Sequence, residues 1–279
     1  MERVPPIELP GLLGVPVRIR CSDPDLADRL RLCYGRSGGA LEDPARALDA
    51  SLEPAAGSWR VRVEGRPEQR AEDAAAALRL LNHELLHGVM LRAPEHYYVH
   101  AGVVELGGRG LVLPGLSQAG KSTLVLALVQ AGARLLSDEL LAFHPATGRA
   151  RAFPRAVKIR DACVRYFPEL AREFAGTGET RFLPFESLGG EALAEEAEVA
   201  LFAVPRWIGA EGEDELTPIS RGEALLELAR SSLNFGTHRE ESLDCLAALV
   251  HGTSAYRVGW RDPHAAAARL LAALGEAGG

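Results

Sequence analysis

The residues best suited to chemistry lie in one stretch that fits the pattern G-x-x-x-x-G-K-[ST]. Glycines in such a loop let successive backbone N–H groups turn towards a polyphosphate. In loops of this kind the lysine, here Lys121, reaches the β and γ phosphates, and the next hydroxyl, Ser122, coordinates Mg²⁺. The pattern therefore predicts a nucleotide site formed by Gly115, Leu116, Ser117, Gln118, Ala119, Gly120, Lys121, Ser122 and Thr123.

The segments on either side of this stretch have the composition of a strand and a helix. Residues 110–113 form a short apolar run, which favours a buried strand. Residues 123–131 have helical length, and Gly132 is a typical helix stop. Lys121 and Lys158 are the two lysines of the chain, so a chance match to the pattern is rare. This strand–loop–helix order is the context that a phosphate-binding loop needs.

Three titratable residues are candidates for catalysis near this loop. Asp138 and Glu139 follow an apolar strand, residues 133–137, that comes after the predicted loop helix. Ligands of open α/β sheets bind outside the carboxyl ends of strands, so Asp138 is placed to hold Mg²⁺ or to accept a proton from an attacking hydroxyl. Glu139 is a second candidate metal ligand. His100 opens a strand expected beside the loop strand, where it is either a half-buried structural histidine or a charge partner of Asp138.

A small basic cluster follows this acidic pair. It consists of Arg155, Lys158 and Arg160. Positive charge opposite the loop could stabilise a transferring phosphoryl group or hold substrate, and a solvated strand edge explains the same residues equally well.

A second motif points to different chemistry. His83, Glu84 and His87 fit H-E-x-x-H, which places two imidazoles on one helical face as in zinc proteases. No third ligand follows at a recognisable spacing, and leucines surround the motif as in ordinary helix packing. A zinc site is therefore the weaker hypothesis.

Bulk composition excludes several classes of function. The chain has 279 residues and a net charge of −7, which argues against a nucleic-acid or anionic-membrane surface because both need a basic face. Its four cysteines lack metal-knuckle spacing, and no basic–apolar leader or long apolar span is seen. These features predict a cytoplasmic protein.

The pattern of elements predicts two domains. Residues 1–95 read as a small α/β module with an edge strand at 14–20, a helix at 22–32, a loop at 35–57, a strand at 58–64 and a helix at 71–92. Residues 96–279 read as the phosphate-loop domain, with strands at 97–106, 133–137, 140–144, 150–153, 198–203 and 254–258. Helices are predicted at 161–175, 221–232, 243–250 and 265–274.

The run from His100 through Asp138 resembles the catalytic domain of the HPr kinase/phosphorylase family. The matching pieces are His100-Ala101, the loop Gly115–Ser122, and the segment Gly132–Glu139. The resemblance implies a mixed-sheet α/β fold similar to that of phosphoenolpyruvate carboxykinases. It also implies ATP and Mg²⁺ as cofactors, Asp138 as catalytic base with His100 as its partner, and Ser122 as a metal ligand.

The chain departs from the family pattern at three positions. Thr123 stands where relatives usually have Glu, Glu139 where they have Asp, and Lys158 where a metal-holding Glu is usual. The chain therefore looks more like diverged relatives that phosphorylate serine on a protein or peptide. The alternative is a nucleotide-binding regulatory or scaffold protein without transferase activity. The sequence leaves open the acceptor, the phosphoryl donor, whether phosphate reverses the reaction, and whether a homo-oligomer forms.

Overall fold

The computed structural model describes residues 5–34, 43–115, 119–175, 180–188, 192–209, 212 and 214–276. The chain divides into two compact units, Met1–Pro94 and Glu95–Gly279. Both units are α/β structures whose principal sheets mix parallel and antiparallel strands.

In its described residues, the first unit is a five-stranded sheet with two α-helices. In spatial order its strands are β1 (Ile7–Leu12), β2 (Val15–Cys21), β3 (Leu48–Ala55), β4 (Ser58–Val63) and β5 (Gln69–Ala71). Helix α1 spans Pro24–Tyr34 and α2 spans Ala74–Arg92. The side chain of Asp73 caps α2 by accepting a hydrogen bond from the N–H of Ala76, and the helix ends just before Pro94.

The structure corrects three predictions in this unit. The strand at 14–20 is not an edge strand, because β2 lies between β1 and β3. The backbone of Pro16 is accommodated by an irregularity in β1, between Leu9 and Leu12. The predicted loop at 35–57 contains strand β3, and the predicted helix start at 71 is the end of strand β5.

The second unit is built around an eight-stranded sheet in its described residues. The strands are β6 (Tyr97–Leu106), β7 (Arg109–Pro114), β8 (Arg134–Ser137), β9 (Leu140–His144), β10 (Arg149–Arg151), β13 (Glu196–Trp207), β14 (Glu215–Pro218) and β15 (Ser254–Trp260). The path of the sheet is β10, β9, β6, β7, β13, β15 and β14, and β8 pairs with β6. A separate two-stranded sheet joins β11 (Val157–Arg160) to β12 (Thr180–Leu183).

Both faces of this sheet are covered, which explains its continuous apolar strands. Successive residues of β7 point to opposite sides, so Leu111 and Leu113 join one core while Val112 joins the other. The first core contains buried residues of α3 (Lys121–Gln130) and α6 (Pro263–Glu276), and the second contains those of α4 (Arg221–Arg230) and α5 (Phe235–Val250). The loop strand β7 is therefore held rigidly between two layers.

The structure confirms most of the predicted elements here and corrects one. Residues 161–175 are not an α-helix, because they form two short 3₁₀ turns, Asp161–Tyr166 and Pro168–Leu170. Pro168 has no N–H and disfavours a helical conformation at Phe167, which has φ −131° and ψ 60°. Within the described residues, no helix has both the length and the apolar character needed to cross a membrane.

Candidate functional site

The phosphate-loop motif joins the end of β7 to the start of α3. Gly115 follows β7 with φ +146°, and Gly120 precedes α3 with φ +89°, so both backbones adopt conformations that favour glycine. At Gly120 an added Cβ would lie 2.2 Å from the indole ring of Trp260, which leaves no room for a side chain. Leu116, Ser117 and Gln118 lie outside the described residues.

Lys121 is a buried cation at the first position of α3. Its side chain is held inside the second unit, and its Nζ donates a hydrogen bond to the carbonyl oxygen of Gly115 at 2.8 Å. Burial lowers the pKa of Lys121, whereas the charges of Asp138 and Glu139 raise it. The ammonium group therefore links the two ends of the loop and lies in the field of the acidic pair.

Asp138 is a buried carboxylic acid at the end of β8. Asp138 is only 7% exposed, and burial raises the pKa of its carboxyl group to about 7. The backbone N–H of Lys158 donates to Oδ2 at 3.0 Å and the Ser122 hydroxyl also favours the charged form, both of which oppose this rise. No hydrogen bond of normal geometry reaches Oδ1 from the described residues. Oδ1 is thus a buried acceptor available to a ligand.

Glu139 links His100 to Arg155. Its Oε2 lies 3.3 Å from Nη1 of Arg155, and its Oε1 lies 3.7 Å from Nδ1 of His100. Nδ1 of His100 also lies 2.9 Å from the carbonyl oxygen of Glu139. Burial and the charge of Lys121 lower the pKa of His100, although the carboxylate opposes this shift. His100 thus contacts Glu139, and the described contacts do not join it to Asp138.

These groups line a cleft of about 660 Å³. Its walls contain the loop residues 120–123, the acidic pair, His100 and the exposed side chains of Lys158 and Arg160 on β11. Arg155 is not among its lining residues and lies instead against Glu139. The structure thus gathers most of the predicted site residues around one opening.

An aromatic wall that the sequence analysis did not identify completes the cleft. The rings of Tyr166 and Trp260 meet edge to face at 6.2 Å, and the guanidinium of Arg165 lies 5.0 Å from the Tyr166 ring centre. Trp207 is half exposed on the same cleft. The rarity of tryptophan was the signal available in the sequence, because two of the three tryptophans of the chain line this cleft.

The residues around Asp138 fit a magnesium ion bound together with a polyphosphate. The hydroxyl of Ser122 and the unbonded Oδ1 of Asp138 are oxygen donors of the kind that Mg²⁺ prefers. Within the described residues, no group of three or more His, Cys, Asp and Glu side chains is arranged to hold a metal by itself.

The H-E-x-x-H motif lies on α2 in the first unit. The rings of His83 and His87 are 4.5 Å apart, but Glu84 points into a buried contact with Arg66 and Gln69. A zinc protease needs this glutamate as its base. The described residues provide no third ligand, and the geometry gives the zinc hypothesis no support.

The comparisons with known proteins give little beyond a weak likeness. No protein-family model matches the sequence, and no curated protein matches it. Among solved structures, the chain is similar to the Hpr(Ser) kinase/phosphatase from Coxiella burnetii, with 14% identity and a TM-score of 0.34. The match covers 63% of this chain and 94% of that chain. At this level neither activity nor substrate transfers to this chain, and a likeness to phosphoenolpyruvate carboxykinases is not shown.

Proposed function

We propose that the protein is an ATP- and Mg²⁺-dependent kinase that transfers the γ-phosphoryl group to a serine hydroxyl of a protein or peptide. The observation that carries this proposal is Asp138, a buried acid with a pKa of about 7 and an unbonded Oδ1, in the same cleft as the phosphate loop. A proton acceptor works best when its pKa is close to the pH at which it operates.

The loop and Lys121 supply the nucleotide half of the site. Backbone N–H groups at the start of α3 point towards its N-terminus, where the helix dipole favours negative charge. The hydrogen bond from Nζ of Lys121 to the Gly115 carbonyl keeps the ammonium at the mouth of the loop. A phosphate oxygen is a stronger acceptor for this ammonium than a neutral carbonyl, so nucleotide binding would replace a hydrogen bond to a neutral oxygen with one between opposite charges.

Asp138 accepts the proton in the transfer step. The serine oxygen forms a bond to the γ-phosphorus while the bond from that phosphorus to the bridging oxygen of ADP breaks. The hydroxyl proton passes to Oδ1 of Asp138, and ADP leaves with the bonding electron pair. The N–H of Lys158 holds Oδ2 throughout, which fixes the orientation of the carboxylate.

Ser122 would hold Mg²⁺ with Glu139 near it, and Oδ1 of Asp138 stays open for the hydroxyl proton. When bound, the ion neutralises phosphate charge and orients the phosphate oxygens. Glu139 already contacts Arg155 and His100, so we assign these three residues to positioning the segment that carries Asp138. Because a carbonyl oxygen only accepts, Nδ1 of His100 carries the hydrogen in its bond to Glu139, and the neutral ring keeps its lone pair on Nε2.

The test is transfer from [γ-³²P]ATP to an array of serine peptides, with threonine and alanine peptides as matched acceptors. We expect phosphoserine in the serine peptides, dependence on Mg²⁺, and loss of MgADP affinity in Lys121→Ala. Arg221→Ala removes an exposed cation from the first turn of α4, away from the cleft lining, and should leave both properties unchanged. Absence of transfer to every acceptor, and of autophosphorylation, would refute the kinase proposal.

A second function is favoured by one observation. Lys158 occupies the position where the resembling kinases have a metal-holding glutamate, and its exposed side chain lines the cleft. A nucleotide-binding regulatory or scaffold protein would bind MgATP at the loop without transfer. Tight MgADP and MgATP binding with an unchanged γ-phosphate would select this function.

A further inference from the structure

The strand β11 presents two cations to the cleft from a rigid support. Its residues alternate, so that Val157 and Ile159 are buried in the core that holds α3 while Lys158 and Arg160 are exposed. The strand pairs with β12, where Lys158 lies opposite Phe182 and Arg160 opposite Thr180. The two cationic side chains therefore leave the same face of a fixed strand.

Neither cation is neutralised by the described part of the chain. No carboxylate of the described residues lies within ion-pair distance of Lys158 or Arg160. Asp161, the next residue along, instead pairs with Arg181 at 2.6 Å. Arg165 adds a third positive group to the cleft lining. Lys158, Arg160 and Arg165 together form a cationic wall of the cleft. It is a local region of positive charge in a protein with a net charge of −7.

The cationic wall is joined directly to Asp138. The N–H of Lys158 donates to Oδ2, so the Lys158 side chain starts within a few ångströms of the proton acceptor. Two residues of extended chain span about 7 Å, which is comparable to the reach of a lysine side chain. A residue one or two positions from the hydroxyl that reacts at Asp138 therefore falls beside Lys158 and Arg160.

We propose that the acceptor is an acidic segment, with an aspartate or glutamate within about two positions of the phosphorylated serine. This inference rests on the proposed kinase function and specifies its substrate. Lys158 and Arg160 bind the acidic side chain and so determine specificity. In the proposed site the phosphates of the nucleotide have their own donors, namely Lys121 and the N–H groups at the start of α3, and these do not belong to β11.

The experiment uses N-acetylated, C-amidated peptides with one serine in an alanine–glycine background, so that terminal charges are absent. Aspartate, asparagine or lysine is placed singly at each of the two positions on either side. The unchanged 279-residue chain and the double variant Lys158→Glu/Arg160→Glu are compared for kcat/KM with [γ-³²P]ATP. Arg221→Glu is the matched charge reversal outside the cleft lining.

We expect the unchanged protein to prefer aspartate over lysine by about tenfold at one or more positions. The double variant should lose or reverse this preference, with the KM for ATP changed less than threefold, and Arg221→Glu should keep it. Binding of a fluorescein-labelled aspartate peptide to the MgADP-loaded protein should weaken with salt in the unchanged protein only.

Two results would overturn the inference while leaving the kinase function intact. One is transfer to serine peptides without any preference for a neighbouring acid. The other is a double variant that weakens MgADP binding and raises the KM for ATP but keeps the acceptor preference, because the cations would then serve the nucleotide. Complete absence of transfer in the unchanged protein refutes the kinase function itself.

Discussion

Two buried acids lie in motifs that suggest chemistry, and they differ in how their oxygens are engaged. Glu84, in the H-E-x-x-H motif, is 3% exposed and accepts from Nε of Arg66 at 2.7 Å and from Nε2 of Gln69 at 3.2 Å. Asp138, beside the phosphate loop, is 7% exposed and has one backbone N–H on Oδ2, while Oδ1 has no partner among the described residues.

This difference is the one expected between a structural acid and a reactive one. A buried carboxylate paired with a guanidinium and an amide is stabilised as part of the core, and removing it leaves its partners unsatisfied. A buried carboxylate with an open oxygen and a pKa raised to about 7 by burial is costly to keep and is suited to exchanging a proton. The partners of an acid, more than the motif around it, therefore indicate its role.

Replacing Asp138 with asparagine should have the largest effect. Asp138→Asn keeps the shape and removes the proton acceptor, so kcat for transfer should fall by roughly 10²- to 10⁴-fold, while MgADP affinity stays within about threefold. Steady-state transfer to a serine peptide and calorimetric titration with MgADP measure the two quantities. A variant that retains more than a tenth of the activity would remove Asp138 from the role of base.

The second prediction concerns stability against pH. The pKa of Asp138 is higher in the folded than in the unfolded protein, so its contribution to stability is present below about pH 4 and is lost as the pH rises to about 7. Asp138→Asn does not titrate. Its stability advantage over the unchanged protein should thus grow across this window, to at most roughly 4 kcal/mol.

Urea unfolding followed by tryptophan fluorescence checks this prediction. A Trp59→Phe background restricts the signal to Trp207 and Trp260, which belong to the second unit. A constant difference between the two proteins from pH 4 to pH 8 would show that the Asp138 carboxyl titrates as an ordinary exposed acid.

Removing Glu84 should lower the stability of the first unit and leave phosphoryl transfer unchanged. Glu84→Ala leaves Arg66 and Gln69 without their acceptor, so we expect the free energy of opening of the first unit to fall by about 1–3 kcal/mol. Hydrogen exchange of the α2 amides measures it. Glu64→Ala is the control, because the Glu64 side chain is 58% exposed in its ion pair with Arg92 and its loss should cost less than about 1 kcal/mol.

A loss of phosphotransfer in Glu84→Ala that exceeds its loss of folded protein would break the comparison. So would stoichiometric zinc bound through His83 and His87 and lost in a His83→Ala variant.

The smallest expected effect comes from the backbone hydrogen bond that Lys158 donates to Asp138. Lys158→Pro deletes the N–H that holds Oδ2, and this N–H lowers the pKa of Asp138. The acid limb of the kcat/KM profile should therefore move to higher pH by less than one pH unit. Lys158→Ala removes the charge and keeps the N–H, so it should leave the midpoint of the acid limb in place. Equal midpoints in the two variants would show that the backbone hydrogen bond does not set the pKa of Asp138.

Local order along the chain explains what the sequence could predict. The strand, loop and helix around Gly115–Ser122 are adjacent in sequence, and apolar runs with a glycine stop indicate each of them. The position of Asp138 after a buried strand follows from the same reasoning. In contrast, strand β3 was not predicted. Its buried residues Leu48, Ala50 and Leu52 alternate within a segment rich in Ala, Asp and Pro, and this composition is typical of loops.

Contacts between distant residues explain what the sequence could not predict. The N–H of Lys158 meets a carboxylate 20 residues earlier, and this contact depends on a strand, β11, that has only four residues. Trp260 packs against Gly120, which lies 140 positions earlier in the chain. The pairing of His100 with Glu139 likewise depends on β6 lying beside β9.

The contact between Trp260 and Gly120 has a consequence for the order in which the site is assembled during synthesis. The loop leaves the ribosome long before residue 260 is translated, so the nascent chain carries a glycine bend with no indole behind it. Strand β15, which ends at Trp260, pairs with β13, and β13 pairs with β7. A ribosome-bound chain that stops short of this strand therefore lacks the indole ring that packs behind the loop.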